Sequence, residues 1–383
     1  MYIDPLFNIY KVKFIILEKL FKKLELKDID KNKTKIESVN IFINLESVLM
    51  SLHRDYVEEE LRSMDKRNLK EAYINIISNI INLSAHYRLF FNKRKVKTNI
   101  YYYFNDIDCY YKYNNCSYVD NYREYYNKKF DTLKFKTLNN LIREGIEFSN
   151  TIIDYLQRIY FVSSDRLESS CIPYYFIKEN KSPANMNIII SKDLYDLQYV
   201  NKKCLIIYPY QDNSEIITKV NVMDFLKEKY KYDNEFELSP LLLPFIIAVL
   251  GDKKRGLDKI RGVGFKKLYK GLCKLYKDGF IDDNEPNSLK IENISSLIRD
   301  NGGLFQNDIK ETIMRNYQCI DLDRQLNIAH KISLENLTDN LIDKIDNISL
   351  KEINDKYFHS YPLQLEELNI YNLNKKKNIF NDL

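Results

Sequence analysis

The sequence predicts an α/β fold: a parallel sheet flanked by helices, followed by an all-helical C-terminal part. Two observations lead there. Short runs rich in β-branched residues alternate with stretches of helical spacing up to about residue 220, and beyond that point strand signals fade while helical ones continue.

The elements follow in chain order. Val39 to Asn44 reads as a short buried strand that delivers Asn44 to its C-terminal edge, and a helical stretch follows from Glu46 to about His53. Leu69 to Phe91 carries Ile74, Ile77, Ile80, Ile81 and Leu83 at helical spacing, and Asn99 to Phe104 forms the next strand, ending at Asn105-Asp106. Ile107 to Phe130 has little periodicity and many tyrosines interleaved with Lys112, Arg123, Lys128 and Lys129, so it reads as a loop or short helices over a mouth. Leu138 to Leu156 is helical, Arg158 to Val162 a strand, and Leu167 to Ile177 a helix opened by Ser164-Asp165. Asn187 to Ser191 and Cys204 to Tyr208 are strands, and Glu215 to Val220 adds an edge hairpin. Helices then run from Val222 to Tyr230 and from Pro240 to Leu250, the second with Ser239 as N-cap and Pro240 at its first position. Further helical segments lie near Ile291 to Arg299 and Leu337 to Ile353, and Asn374 to Asn378 reads as a frayed polar tail.

Composition narrows the function classes. The 383 residues are 45% hydrophobic and 30% charged, which is ordinary for a soluble protein. The most apolar run, Leu241 to Leu250, contains Pro244 and is too short to span a bilayer. The N-terminus alternates charge with apolar residues and lacks a small-residue cleavage site, so an intracellular location and no membrane partner are expected. Cys109, Cys116, Cys171, Cys204, Cys273 and Cys319 are scattered without a C-x-x-C pair, which argues against a zinc knuckle or a disulfide framework. His53, His86, His330 and His359 show no ligand spacing. The abundance of Lys, Asn, Ile and Tyr without Trp reads as AT-rich coding, so tyrosine number alone says little about base stacking.

The most informative stretch is GDKKRGLDKIRGVGFKKLYK at residues 251–270. From Gly251 to Asp278 ten Lys/Arg face three Asp, a net charge of 10 − 3 = +7, against +5 for the whole chain. Two glycines one residue apart, Gly262 and Gly264, let the backbone turn tightly and approach a partner closely. A helix begins directly after them and presents free N–H groups and its positive dipole end, a natural seat for phosphate. Lys266, Lys267 and Lys270 lie in its first turns, with Lys259 and Arg261 before it. The nucleic-acid contacts are therefore assigned to Lys259, Arg261, Gly262, Val263, Gly264, Lys266, Lys267 and Lys270. A solvated helical hairpin is the alternative.

Gly251, Asp252, Ile260, Gly262, Val263, Gly264 and Lys266 together resemble the helix-three-turn-helix of the flap endonuclease and 5′-nuclease family, which includes phage exonucleases. Arg255 stands where that motif has its second aspartate. Ser191, Asp193, Leu197, Gln198 and Val200 are similar to a second family motif at a strand end, with Tyr195 in place of its partner carboxylate and Asp196 one position off. Leu167 to Cys171 resembles a third, keeping Glu168 while Ser170 and Cys171 replace aspartates, and Asn44 and Asn105 stand at strand ends where the family has aspartates.

The resemblance covers about residues 39–280 and implies a PIN-like parallel sheet with a helix-three-turn-helix region. With it the chain divides into an N-terminal helical extension (1–38), a PIN-like domain (39–220) with an arch-like insert at about 107–130, the helix-three-turn-helix region (221–285) and a helical extension (286–383). It implies DNA as partner and two-metal hydrolysis with Mg²⁺ or Mn²⁺, in which carboxylates converge on two ions. Glu168, Asp193 and Asp252 are the retained metal-ligand candidates, and the replacements at 44, 105, 170, 171, 195 and 255 all lower the negative charge. Arg255 either pairs with Asp252 or Asp193 or faces solvent or phosphate. The expectation is a DNA-binding member of the family, impaired in catalysis, acting on branched or 5′-ended DNA. An active metal-dependent nuclease and a structural or assembly subunit of a larger nucleoprotein complex stand as alternatives.

Overall fold

The computed structural model describes residues 15–19, 36–45, 83–103, 159–162, 169–178, 186–201, 203–209, 214–236, 238–252, 257–279, 281 and 308–322. The expected helices at 46–53, 138–156, 291–299 and 337–353, and the tyrosine-rich segment 107–130, lie outside them.

Six strands form one sheet in the order β3-β2-β1-β4-β5-β6: β1 Ser38–Asn44, β2 Lys97–Tyr103, β3 Ile159–Val162, β4 Met186–Ile190, β5 Cys204–Tyr208 and β6 Glu215–Ile217. The first five run parallel and β6 is an antiparallel edge strand on β5. The first five strands that the β-branched runs predicted are therefore present within a residue or two of the expected ends, while β6 stops at Ile217, three residues short of the expected Val220.

Such runs carry apolar side chains toward both faces, and both faces are covered. On one face Phe42 stacks on Tyr101 at 5.0 Å and Tyr101 on Tyr160 at 4.9 Å, beneath Phe176 of helix α2, Ile172–Lys178. On the other, Ile41, Ile43 and Tyr102 lie under the helix at 83–92, α1, whose Ser84 hydroxyl meets that of Tyr102 at 2.8 Å. Leu17, in the helical stretch 15–19, is also fully buried, and Glu18 pairs with Arg94 at 3.2 Å.

The register of the centre is marked by a polar row. Asn40 lies opposite Asn99 on one side and Asn187 on the other. Asn99 donates to the Asn40 amide oxygen, and Asn40 donates in turn to that of Asn187, each at 3.0 Å. Asn187 donates onward to the Lys203 carbonyl at 3.4 Å. A shift of one residue would turn all three amides to the opposite face and leave them unmatched.

After β6 come helices α3 Val222–Lys229, α4 Leu243–Leu250, α5 Phe265–Lys277 and α6 Asp308–Ile320. One hydrophobic core continues from Phe42 and Ile189 in the sheet through Phe225, Ile246 and Leu268 to Ile313 and Ile320. Two helices differ from expectation for the same reason. The segment from Pro240 is a 3-10 turn, Pro240–Leu242 capped by Ser239, before α4 proper, because Pro244 lacks the N–H that would continue an α-helical ladder. Likewise Ser169–Cys171 is a 3-10 turn, and α2 starts only at Ile172 with Pro173 in its first turn. The helix α6 falls within the expected helical extension of 286–383, although it was not singled out there despite the helical spacing of Ile309, Ile313 and Ile320.

Helix α4 ends at Gly251, whose φ is +72°. A Cβ there would stand 2.6 Å from the Lys259 nitrogen and 2.7 Å from the Leu257 carbonyl oxygen, so only glycine fits. Gly262 also has a positive φ, +73°, but nothing lies within 4 Å of its would-be Cβ. Gly251→Ala should therefore cost about 3 kcal/mol from clash and backbone strain together, whereas Gly262→Ala should cost about 1 kcal/mol from backbone strain alone. Denaturant unfolding of both variants checks this order; equal losses would contradict it.

Candidate nucleic-acid interface

The basic turn is built from the end of α4. Asp252 and Leu257 exchange backbone hydrogen bonds of 3.1 and 2.9 Å, which closes the loop between them. The Ile260 amide donates to the Val249 carbonyl at 3.1 Å, and the Val263 amide to the Ile260 carbonyl at 3.2 Å. Val263 is 1% exposed. Its side chain anchors the turn in the core and its N–H is already engaged, so its part in the interface is structural and the contact surface lies on its neighbours.

Those neighbours face outward. Lys259, Arg261 and Gly262 are exposed, and nothing stands within 4 Å of a Cβ built on Gly262 or Gly264. Gly264 is the N-cap of α5 and offers no side chain to the first amides of the helix. A bare, unobstructed helix N-terminus at the tip of a turn results.

Helix α5 is fixed by aromatic packing. Phe265 stacks on Tyr230 at 4.4 Å, Tyr276 meets Phe236 edge to face at 5.2 Å, and the Tyr269 hydroxyl donates to the Phe236 carbonyl at 2.7 Å. Phe265, Leu268, Tyr269, Gly271, Leu272, Cys273 and Leu275 are buried. What remains toward solvent is Lys266, Lys267, Lys270, Lys274, Tyr276 and Lys277. Lys274 and Lys277 were counted in the charge of the stretch but not assigned as contacts; they share the face of Lys266 and Lys270, since Lys274 follows Lys270 by four residues and Lys277 follows Lys266 by eleven, about 40° and about 20° around the helix.

This surface is electrostatically unfavourable by itself. Lys266–Lys270 and Lys270–Lys274 are like-charged i,i+4 pairs, each destabilising by about 0.2–0.5 kcal/mol. Lys266 and Lys267 also sit in the first turn, against the positive dipole end, and no acid occupies that turn. Among the described residues none of Lys259, Arg261, Lys266, Lys267, Lys270 and Lys274 has an ion-pair partner. An external anion along the helix would relieve all of these contacts at once.

A second location is set by topology. The chain runs β1, β2, β3 to one side and returns to β4 on the other side of β1, so the crevice beyond the C-terminal ends of β1 and β4 is the topological switch point. Asn44 ends β1 and Ser191 follows β4. The segment after Ser191 is a 3-10 helix, Leu194–Tyr199, with Asp193 as its N-cap. The Asp193 amide donates to the Ser191 hydroxyl at 3.0 Å, and its carboxylate accepts from the Tyr195 amide at 3.1 Å. Tyr195, Asp196 and Tyr199 are buried, as are Ser170, Cys171 and Tyr103. Burial first, and then the neighbouring Asp196, Cys171, Tyr195 and Tyr103, hold the Tyr199 phenol well above its ordinary range. Burial and Asp196 do the same to the Cys204 thiol.

A pair of divalent ions needs several anionic oxygens converging on one place. Among the described residues no group of three acids, histidines or cysteines does so. The switch point instead shows Asn44, Tyr195, Ser170 and Cys171, with Asp193 engaged as a cap. This described donor set does not fit a two-metal centre. Asp252 is half-buried at the closed loop after α4. Glu168, Asn105, Asp106, Glu46 and Arg255 lie outside the described residues, so of the expected set Glu168, Asp193 and Asp252 the structure describes Asp193 and Asp252 alone.

The sequence matches no protein-family model and no curated protein. Its fold is similar to that of the T5 D15 protein co-crystallized with metal ions, at 11% identity and a TM-score of 0.50, over 83% of this chain and 99% of that one. The bacteriophage T5 D15 flap endonuclease, as a pseudo-enzyme-product complex with DNA and metal ions, is similar at 12% identity and a TM-score of 0.48, with the same coverage. T5 5′-exonuclease with bound zinc is similar at 11% identity and a TM-score of 0.49, again with that coverage. At such identity the likeness speaks of architecture, and with the strand order and the turn between α4 and α5 it shows that this chain has the 5′-nuclease α/β fold.

Proposed function

We propose that the chain is a DNA-binding protein derived from the flap endonuclease and 5′-nuclease family, which grips the phosphate backbone through the turn at 261–264 and the lysine face of α5. The observation that carries this reading is the unpaired, single-signed surface from Lys259 to Lys277, led by a bare helix N-terminus. Neither the like-charge pairs nor the lysines against the dipole have a compensating acid among the described residues. The occupant that removes both penalties is a row of phosphates.

Backbone contacts carry little sequence information, so binding is weakly sequence-specific and strongly salt-dependent. The lysine face holds no exposed ring, since Tyr276 is half-buried against Phe236. Single strands are held on stacking platforms, so duplex next to a flap, junction or 5′ end is the preferred form. Asn44, Ser170, Cys171 and Tyr195, standing where the family has carboxylates, support impaired hydrolysis. A role in replication or repair, in an intracellular compartment, follows from that substrate class; no helix among the described residues is long and apolar enough to cross a membrane.

Two measurements test this. Duplex affinity followed against salt should fall with a log–log slope near about −5, as expected for about six phosphate contacts, and Lys→Ala at 266, 270 or 274 should each flatten the slope by about 1. A slope near zero would sink the reading. Labelled 5′-flap and single-stranded substrates with Mg²⁺ or Mn²⁺ should be bound without being cut. Cleavage that vanishes in Asp193→Ala would instead establish an active nuclease. In the same preparation Cys171 and Cys204, both buried, should resist alkylation until the protein is unfolded.

A further inference from the structure

The helix α6 reaches back to the basic turn through one side chain. Ile313 and Ile320 are fully buried and set α6 against α4, and Asn316 between them is 1% exposed. Its side-chain nitrogen donates to the Ala248 carbonyl at 2.8 Å and to the Asp258 carbonyl at 2.7 Å. Both neighbours are acceptors, so the NH₂ group must be the end that faces them.

The two acceptors belong to different segments. Ala248 lies in the last turn of α4, whose carbonyls have no partner within the helix. Asp258 lies in the stretch that carries Lys259, Ile260 and Arg261 into the turn. The next residue on α6, Arg315, points its guanidinium at the Asp258 carboxylate at 3.7 Å. One helix thus holds Asp258 by its backbone and its side chain, directly beside the first exposed lysine of the interface. The sequence separations, 68 and 58 residues, make these tertiary clamps and not local turn chemistry.

We infer that Asn316 is a positioning residue for the phosphate grip, fixing the segment from Asp258 to Arg261 against the end of α4, and that α6 is a working part of the nucleic-acid-binding unit. The inference rests on the phosphate reading given above. Asn316 touches no nucleic acid; it sets where Lys259 and Arg261 stand. Removing its two donors frees that segment while leaving the lysine face of α5 seated on its aromatic packing.

The test uses the full-length protein and a mixed-sequence duplex. Asn316→Leu, of similar volume and without donors, should bind about tenfold more weakly, with a salt slope shallower by about 1, at a temperature where it is fully folded. Asn316→Asp places a carboxylate against two carbonyl oxygens, which favours its protonated form; protonated, it donates one bond. Its affinity relative to the wild type at the same pH should therefore recover as pH falls from about 8 to about 5.5, a dependence that a loss of packing alone would not produce. Folded Leu and Asp variants that bind like the wild type, with unchanged slopes, overturn the inference, while Lys270→Ala in the same assay reports on the phosphate reading separately. If the variants do not fold, hydrogen exchange of the wild type decides: amides at 257–264 should open together with those of α6, and independent opening overturns the inference.

Discussion

The end of helix α4 is the constraint on which the C-terminal half depends. A helix leaves its last carbonyls without internal partners, and burying one unpaired costs about 1–3 kcal/mol. Here Ile247 bonds the Gly251 amide just past the helix, while Ala248 goes to Asn316 and Val249 to the Ile260 amide. The three requirements can be met together only if the chain reverses at Gly251, closes a loop at Leu257 and returns alongside its own helix. The basic turn is the outward product of that reversal, and the clash at Gly251 shows how little room it leaves.

The grip and the sheet edge are governed by opposite electrostatics. At the turn and along α5, positive charge is exposed and without ion-pair partners among the described residues. At the switch point, where α/β sheets place their chemistry, the described acids are Asp193, which caps a 3-10 helix, and Asp196, which is buried beside Tyr199 and Cys204. Tyr103, Tyr195 and Tyr199 are packed into the core there. Buried phenols therefore fill much of the described volume at that edge.

Local rules were legible in the sequence, and distant pairings were not. The runs at 39–44 and 204–208 could be read as strands because a parallel strand covered on both faces is apolar at nearly every position. The glycine turn could be read because its backbone geometry leaves few alternatives to glycine. The capping role of Asp193 was hidden behind its place as a metal-ligand candidate, since an aspartate after a strand serves a cap and a metal equally well. Asn316 gave no signal at all: its partners are 58 and 68 residues away, and a lone asparagine in a helical segment looks like a surface residue. Lys274 and Lys277 were seen as charge and became a face only once the buried side of α5 was known.

The asparagine row across β2, β1 and β4 distributes its bonds unequally. The fully buried middle residue, Asn40, accepts from Asn99 and donates to Asn187, while Asn187 donates on to the Lys203 carbonyl. An apolar replacement of Asn40 takes a partner from both neighbours at once, whereas a replacement at Asn99 leaves the Asn40–Asn187 bond in place. The cost of losing an amide is therefore set by its place in the row, greatest at the fully buried middle strand and least at the half-buried residue on β2.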